Sequence, residues 1–161
     1  MVDVLFISEY FWPVTQGGGE VNLQLLSKAL VQRGINITIL TSWFPGLKRY
    51  EEADRVTIIR QLRTGRSVTG IFGNLSRFFL FERSIIKSAE TLFQKKTFYA
   101  VHLVGSALGA AGKLSKMTDA KIFATVESYI AMCPKGDFLC GNKADTSRWS
   151  FGKFAGCLLA S

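Results

Sequence analysis

The strongest constraint on this chain is an alternation. Short, nearly continuous apolar runs recur along it, separated by longer stretches whose apolar residues repeat at helical spacing. Asp3 to Ser8 is the first such run, and Asn36 to Ser42 the second, with β-branched Ile37, Thr38, Ile39 and Thr41. Val56 to Leu62, Ala100 to Val104 and Lys121 to Val126 are the others. Apolar runs of this length read as strands buried on both faces, as in a parallel sheet. Between them lie helical patterns. From about Glu20 to Arg33, Val21, Leu25 and Ala29 lie on one line and Leu26 and Leu30 on the next. Gly34 follows where a helix C-terminal glycine belongs. From about Ile71 to Lys95, Leu75, Phe79, Ile86, Ala89 and Phe93 predict one long helix, or two broken near Gly73. Gly105 to Lys116 predicts a small-residue helix, and Trp43 to Arg55 reads as a loop.

Strands alternating with helices imply an α/β fold: a Rossmann-like, doubly wound, mostly parallel sheet with helices on both faces. The 161 residues suit one domain, and 48% hydrophobic against 20% charged residues excludes a disordered chain. A chain of this length buries roughly 70% of its unfolded surface, so it needs no disulfide or metal to hold a core. Its three cysteines, Cys133, Cys140 and Cys157, are odd in number, lack close Cys-x-x-Cys spacing and cluster near the end. They read as free thiols, and no metal site is expected. No apolar run approaches the roughly 18 residues of a membrane span. The opening Met-Val-Asp-Val carries an acid where a signal peptide carries positive charge, so a cytoplasmic protein is expected.

In an open α/β sheet, ligands bind beyond the carboxyl ends of the strands, where the strand order reverses. That rule selects the loops Glu9–Gly19, Gly105–Ser106 and Glu127–Pro134. In the first, Gly17, Gly18 and Gly19 run into a helix start at Glu20. Glycine permits close backbone approach, and first-turn N–H groups attract a phosphate or carboxylate. A dinucleotide fingerprint is not met, because Asn22 stands at its third glycine, and no acid closes the second strand. That argues against an oxidoreductase domain. In the third loop Glu127 follows a buried strand directly, with Ser128 and Tyr129 after it. A carboxylate there can accept from sugar hydroxyls or act as a base, or simply cap the next helix.

The formal charge is +8, and residues 46–100 hold eleven Lys/Arg against five acids. Arg60, Arg63, Arg66 and Arg77 flank an aromatic run, Phe78-Phe79-Leu80-Phe81. Basic residues beside aromatics suit an anionic membrane surface or a lipid-linked acceptor. Nucleic acid is the less favoured partner, since no recognised binding motif accompanies the charge.

Several of these pieces together resemble a known family. Leu5-Phe6-Ile7-Ser8-Glu9-Tyr10-Phe11-Trp12-Pro13, then Gly17-Gly18-Gly19-Glu20, Leu30-x-x-Arg33-Gly34 and Ile37 to Ser42 resemble the opening of family 4 retaining glycosyltransferases. Ala100-Val101-His102 and Ala124-Thr125-Val126 resemble that family's later strands. The resemblance implies one half of a GT-B fold: an acceptor-side domain over residues 1–161, with a C-terminal donor-binding domain as its missing partner. It implies sugar transfer with retention, from a nucleotide-sugar to a glycan or lipid-linked acceptor, with no cofactor or metal and no activity in the isolated half. It places Gly17, Gly18 and Gly19 near the donor diphosphate and acceptor; Glu20, Gly105, Ser106, Ser128 and Tyr129 are the further substrate- or phosphate-binding candidates, by their place in the loops at the carboxyl edge. At the family's strand-end histidine this chain has Glu127, which puts a catalytic role there in question. The alternative is a non-catalytic sugar- or lipid-binding module, or a subunit of a split enzyme. The surface of Arg60, Arg63, Arg66 and Arg77 would then face a membrane, as a peripheral contact at its inner face.

Overall fold

The computed structural model describes residues 2–64, 77–126, 139–140 and 143–144. Strand β1 (Asp3–Ser8) leads through α1 (Gly18–Gln32) to β2 (Asn36–Ser42). A hairpin follows, β3 (Tyr50–Ala53) and β4 (Val56–Leu62). A π-helical turn (Arg77–Phe81) then runs into α2 (Glu82–Lys95). Strand β5 (Ala100–Val104) passes through a 3-10 segment (Gly105–Ala110) into the short α3 (Ala111–Leu114). Strand β6 (Lys121–Thr125) completes the main sheet, and β7 (Leu139–Cys140) pairs with β8 (Lys143–Ala144) in a separate ladder.

The main sheet has the order β3-β4-β2-β1-β5-β6. Every pair in it is parallel except β3 with β4. The mostly parallel, doubly wound sheet expected from the sequence is therefore present. Its centre is β1, where Leu5, Phe6 and Ile7 are at most 1% exposed. Burying such side chains is worth about 1.5–3 kcal/mol each. Alternate residues of β1 serve opposite faces. Leu5 and Ile7 join Ile85 and Ala89 of α2 and Leu114 of α3. Val4 and Phe6 join Leu23 of α1 with Ile37 and Ile39 of β2.

The structure departs from the expected elements in three places. Tyr50–Ala53 is a strand within the expected loop; as an edge strand it is mostly exposed and needs no apolar alternation. Asp54 turns this hairpin with φ 53°, a left-handed conformation that Asp tolerates. Helix α1 buries Leu23 and Ser27, whereas Val21 and Leu25, expected on its inner line, are exposed. The helix is apolar on several sides, so packing against β1 and β2 chooses the face and periodicity does not. Gly105–Ala110 winds as a 3-10 segment before α3. Of the helix expected over 71–95, residues 71–76, with the break considered near Gly73, lie outside the described residues, and the rest runs from the π-helical turn into α2. At the end of α1, Gly34 (φ 80°) donates its N–H to Val31 while Ile35 donates to Leu30, a left-handed helix stop that favours glycine.

Candidate functional site

Strand order reverses around β1, whose neighbours are β2 on one side and β5 on the other. In open α/β sheets the loops on either side of such a reversal flank a ligand crevice at the carboxyl edge, and here these are the loops beyond β1 and β5. The buried polar residues gather at this edge. Ser8, Glu9, Thr41, Ser42 and Arg60 are each at most 4% exposed, and all lie at or just beyond the carboxyl ends of β1, β2 and β4. Folding alone does not call for such a layer, because each group must recover its lost hydration through hydrogen bonds.

Glu9 is one centre of that layer. The Ser106 hydroxyl donates to Glu9 Oε2 at 2.6 Å, which links the loops on the two sides of the crevice. The Thr64 hydroxyl, beyond β4, donates to Glu9 Oε1. The Glu9 carbonyl accepts from the Ser42 N–H and the Thr41 hydroxyl of β2, both at 3.3 Å. One residue thus ties together the ends of four strands.

Arg60 is the other centre. Expected on a basic surface, it is only 1% exposed, so it does not belong to that surface. Its side chain lies inside the carboxyl edge because the carbonyls of two loops need a donor there. Nη1 donates to Glu51 Oε1 at 2.7 Å and to the Lys48 carbonyl at 3.2 Å, and Nη2 donates to the Trp12 carbonyl at 3.0 Å. The Arg60 N–H donates to the Arg49 carbonyl at 2.8 Å. Nε of Arg60 and Oγ of Ser42 are buried with no hydrogen-bond partner among the described residues. Arg63 is exposed, as expected of a surface residue, and its N–H donates to Ser84 Oγ. Arg77 opens the π-helical turn. Arg66, Glu127, Ser128 and Tyr129 lie outside the described residues.

The glycine loop enters α1 at Gly17 and Gly18. A Cβ built on either meets nothing within 4 Å, and neither glycine has a left-handed φ. The fold itself therefore does not demand glycine at these two positions. Gly105 is different: its φ of 59° places it in the left-handed region, so the turn alone accounts for that glycine. Glu20 folds back onto the loop. Its Oε2 accepts from the Gly17 N–H at 2.9 Å and from the Gln16 N–H at 3.2 Å, as suits an acid in a helix first turn. The first-turn N–H groups of Gly18 and Gly19 have no intrahelical carbonyl to receive them. An anion approaching them would share the helix start with the Glu20 carboxylate.

His102 of β5 lies half-buried beside the Phe6 ring, 5.1 Å between centroids, with Nε2 2.7 Å from Thr125 Oγ1. Burial pushes its pKa below the ordinary value. The unfolded chain then binds the proton more readily than the folded one. Stability from this group is present above about pH 6.5 and is lost as pH falls towards the folded pKa. Urea melts at pH 7.5 and 5.5 are expected to show that loss, and His102→Gln is expected to reduce it. An unchanged difference in the variant would assign the pH dependence to other groups.

The fold of this chain recurs in solved structures. Sucrose-phosphate synthase from Thermosynechococcus elongatus superimposes with a TM-score of 0.65 at 16% identity, over 80% of this chain and 33% of that one. The catalytic domain of starch synthase IV from Arabidopsis thaliana, bound to ADP and acarbose, gives 0.61 at 15%, over 80% and 34%. This chain is a Rossmann-like α/β domain. It spans about a third of the length of those two structures. The C-terminal domain of a Pyrococcus furiosus hydrogenase also superimposes, with a TM-score of 0.51 at 15% identity, over 78% of this chain and 91% of that one. At such identities the likeness is one of fold. No protein-family model and no curated protein sequence matches the chain.

Of the residues expected at the site, the structure brings Ser106 to the crevice through Glu9, and Gly17, Gly18 and Glu20 to the helix start beside it. It adds Glu9, Thr64 and the buried Arg60. The signal for Glu9 was available in the sequence: it is an acid placed directly after the buried apolar run Asp3–Ser8, whereas the run before Glu127 forms the edge strand β6, which is mostly exposed.

Proposed function

We propose that the chain is the acceptor-side half of a glycosyltransferase of the family 4, retaining kind. The observation that carries the reading is the glycine loop at the strand-order reversal. Its Gly17 and Gly18 are not required by the backbone, and a layer of buried hydroxyls and a carboxylate lies at the same edge of the sheet. The fold shared with one part of sucrose-phosphate synthase and of the starch synthase IV catalytic domain, both much longer, supports it.

In this reading a nucleotide-sugar is held mainly by a second domain, and its diphosphate reaches the first-turn N–H groups of Gly18 and Gly19. The crevice of Glu9 and Ser106 receives a glycan or lipid-linked acceptor, and Glu127, with Ser128 and Tyr129, contributes from the sequence that follows β6. No metal or cofactor takes part. The protein works in the cytoplasm, resting on the inner face of a membrane. Phe79, 71% exposed, and Leu80 next to it favour that contact, with exposed Arg63 and Arg83 as basic residues of the same region of sequence. Among the described residues no helix is long and apolar enough to cross a membrane.

The test is turnover of UDP-glucose, ADP-glucose and GDP-mannose by the 161-residue chain, alone and joined to a donor-binding half. The chain alone is expected to turn over none, and the joined protein is expected to transfer sugar with the donor's anomeric configuration kept. Turnover by the isolated chain would overturn the half-site reading, and an inverted product would overturn retention.

A further inference from the structure

Two tryptophans at the carboxyl edge remain exposed, although burial of an indole is among the larger gains available to a fold. Trp12 is 57% and Trp43 is 37% exposed. Their loops are tied together. Tyr10 stacks on Phe44 at 5.7 Å and 17°, and Arg60 joins the Trp12 carbonyl to the Lys48 carbonyl. The Trp43 ring is also fixed in orientation: its Nε1–H donates to the Leu47 carbonyl at 2.9 Å, and the Arg49 guanidinium lies 4.4 Å over it. Arg49 and its neighbour Lys48 are exposed, and among the described residues no acid pairs with either.

We propose that Trp12, Trp43, Arg49 and Lys48 form a binding platform for a sugar bearing an anionic phosphate. This deepens the acceptor-side reading above and rests on it for the role of the ligand. The apolar face of a pyranose ring suits the more exposed Trp12 indole, since Arg49 already lies over the Trp43 ring. The planar guanidinium above Trp43 presents donors to a phosphate, which it can take in a bidentate pair. Across the edge, the Glu9 carboxylate disfavours an anion at the crevice floor and favours hydroxyls. The charges thus give the ligand a direction, with phosphate towards the β2–β3 loop and hydroxyls towards β1 and β5. Arg60 is a positioning residue here: it holds the two loops and leaves the ligand to the exposed groups.

The indole N–H resonances of Trp12 and Trp43 report on the site directly. Glucose 6-phosphate, or phosphatidylcholine vesicles carrying a polyprenyl phosphoglucose, is expected to shift both. Response to the free sugar phosphate assigns a soluble acceptor, and response only to the vesicles assigns a lipid-linked one. Arg49→Gln is expected to weaken binding about fivefold, and Trp12→Leu by about tenfold. Arg49 and Trp12 are exposed, so both variants should fold, and their melting curves verify this. No shift with either probe, or equal shifts with inorganic phosphate alone, overturns the platform. Sugar transfer without this binding would remove the platform and leave the transferase reading. Binding without transfer would do the reverse.

Discussion

Arg60→Ala is expected to lower the thermal midpoint of the chain by about 6–12 °C. The variant removes donors to the Trp12 and Lys48 carbonyls and to the Glu51 carboxylate, all from a side chain 1% exposed. Hydrogen bonds involving a charged group are worth about 1.5–3 kcal/mol each. Glu51, 39% exposed, regains water when its partner goes, which limits the cost. A net loss of about 3 kcal/mol follows, and each kcal/mol moves the midpoint of a chain this size by about 2–4 °C. Arg60→Lys keeps the charge but can satisfy fewer of these acceptors at once, so it is expected to fall between. Calorimetry of the three proteins is the measurement. A shift below about 2 °C for Arg60→Ala would mean that the loops hold together without the guanidinium.

Glu9→Ala carries the second large effect. It strands the Ser106 and Thr64 hydroxyls, whose acceptor is a carboxylate 4% exposed. The loss is expected to be about 2–3 kcal/mol. Glu9→Gln preserves the volume and one acceptor oxygen, and a hydroxyl can turn to accept from the amide. It is therefore expected to recover more than half of that stability. Denaturant melts of both variants check the pair. A Gln variant as unstable as the Ala variant would show that the negative charge, rather than the hydrogen-bond geometry, holds the strand ends.

The strands were legible in the sequence because burial on both faces leaves little room for polar residues. Asp3–Ser8, Asn36–Ser42, Val56–Leu62 and Ala100–Val104 run as the apolar pattern predicts. Tyr50–Ala53 was not legible, since an edge strand that is mostly exposed carries no apolar signature. The inner face of α1 was hidden for the opposite reason: Val21, Leu23, Leu25 and Leu26 are apolar on several sides, and the sheet beneath decides which is buried. The general position of the site followed from topology. Its chemistry was only partly visible, because Arg60 in sequence is one more cation in a basic stretch. Only the fold shows that its guanidinium is enclosed by the Trp12 and Lys48 carbonyls and the Glu51 carboxylate.

The glycine loop offers the most direct measurement of the central claim, that this edge of the sheet is built for a ligand. Gly18 is the first residue of α1, and a Cβ there meets no atom within 4 Å. Gly18→Ala is therefore expected to leave stability unchanged or raise it by up to about 1 kcal/mol. On the transferase reading proposed above, sugar transfer by the chain joined to a donor-binding half is expected to fall at least tenfold, because the added methyl group would stand where that reading brings the diphosphate to the backbone. Lower activity in an equally or more stable protein is the predicted result. Full activity in the stabilised variant would contradict the account.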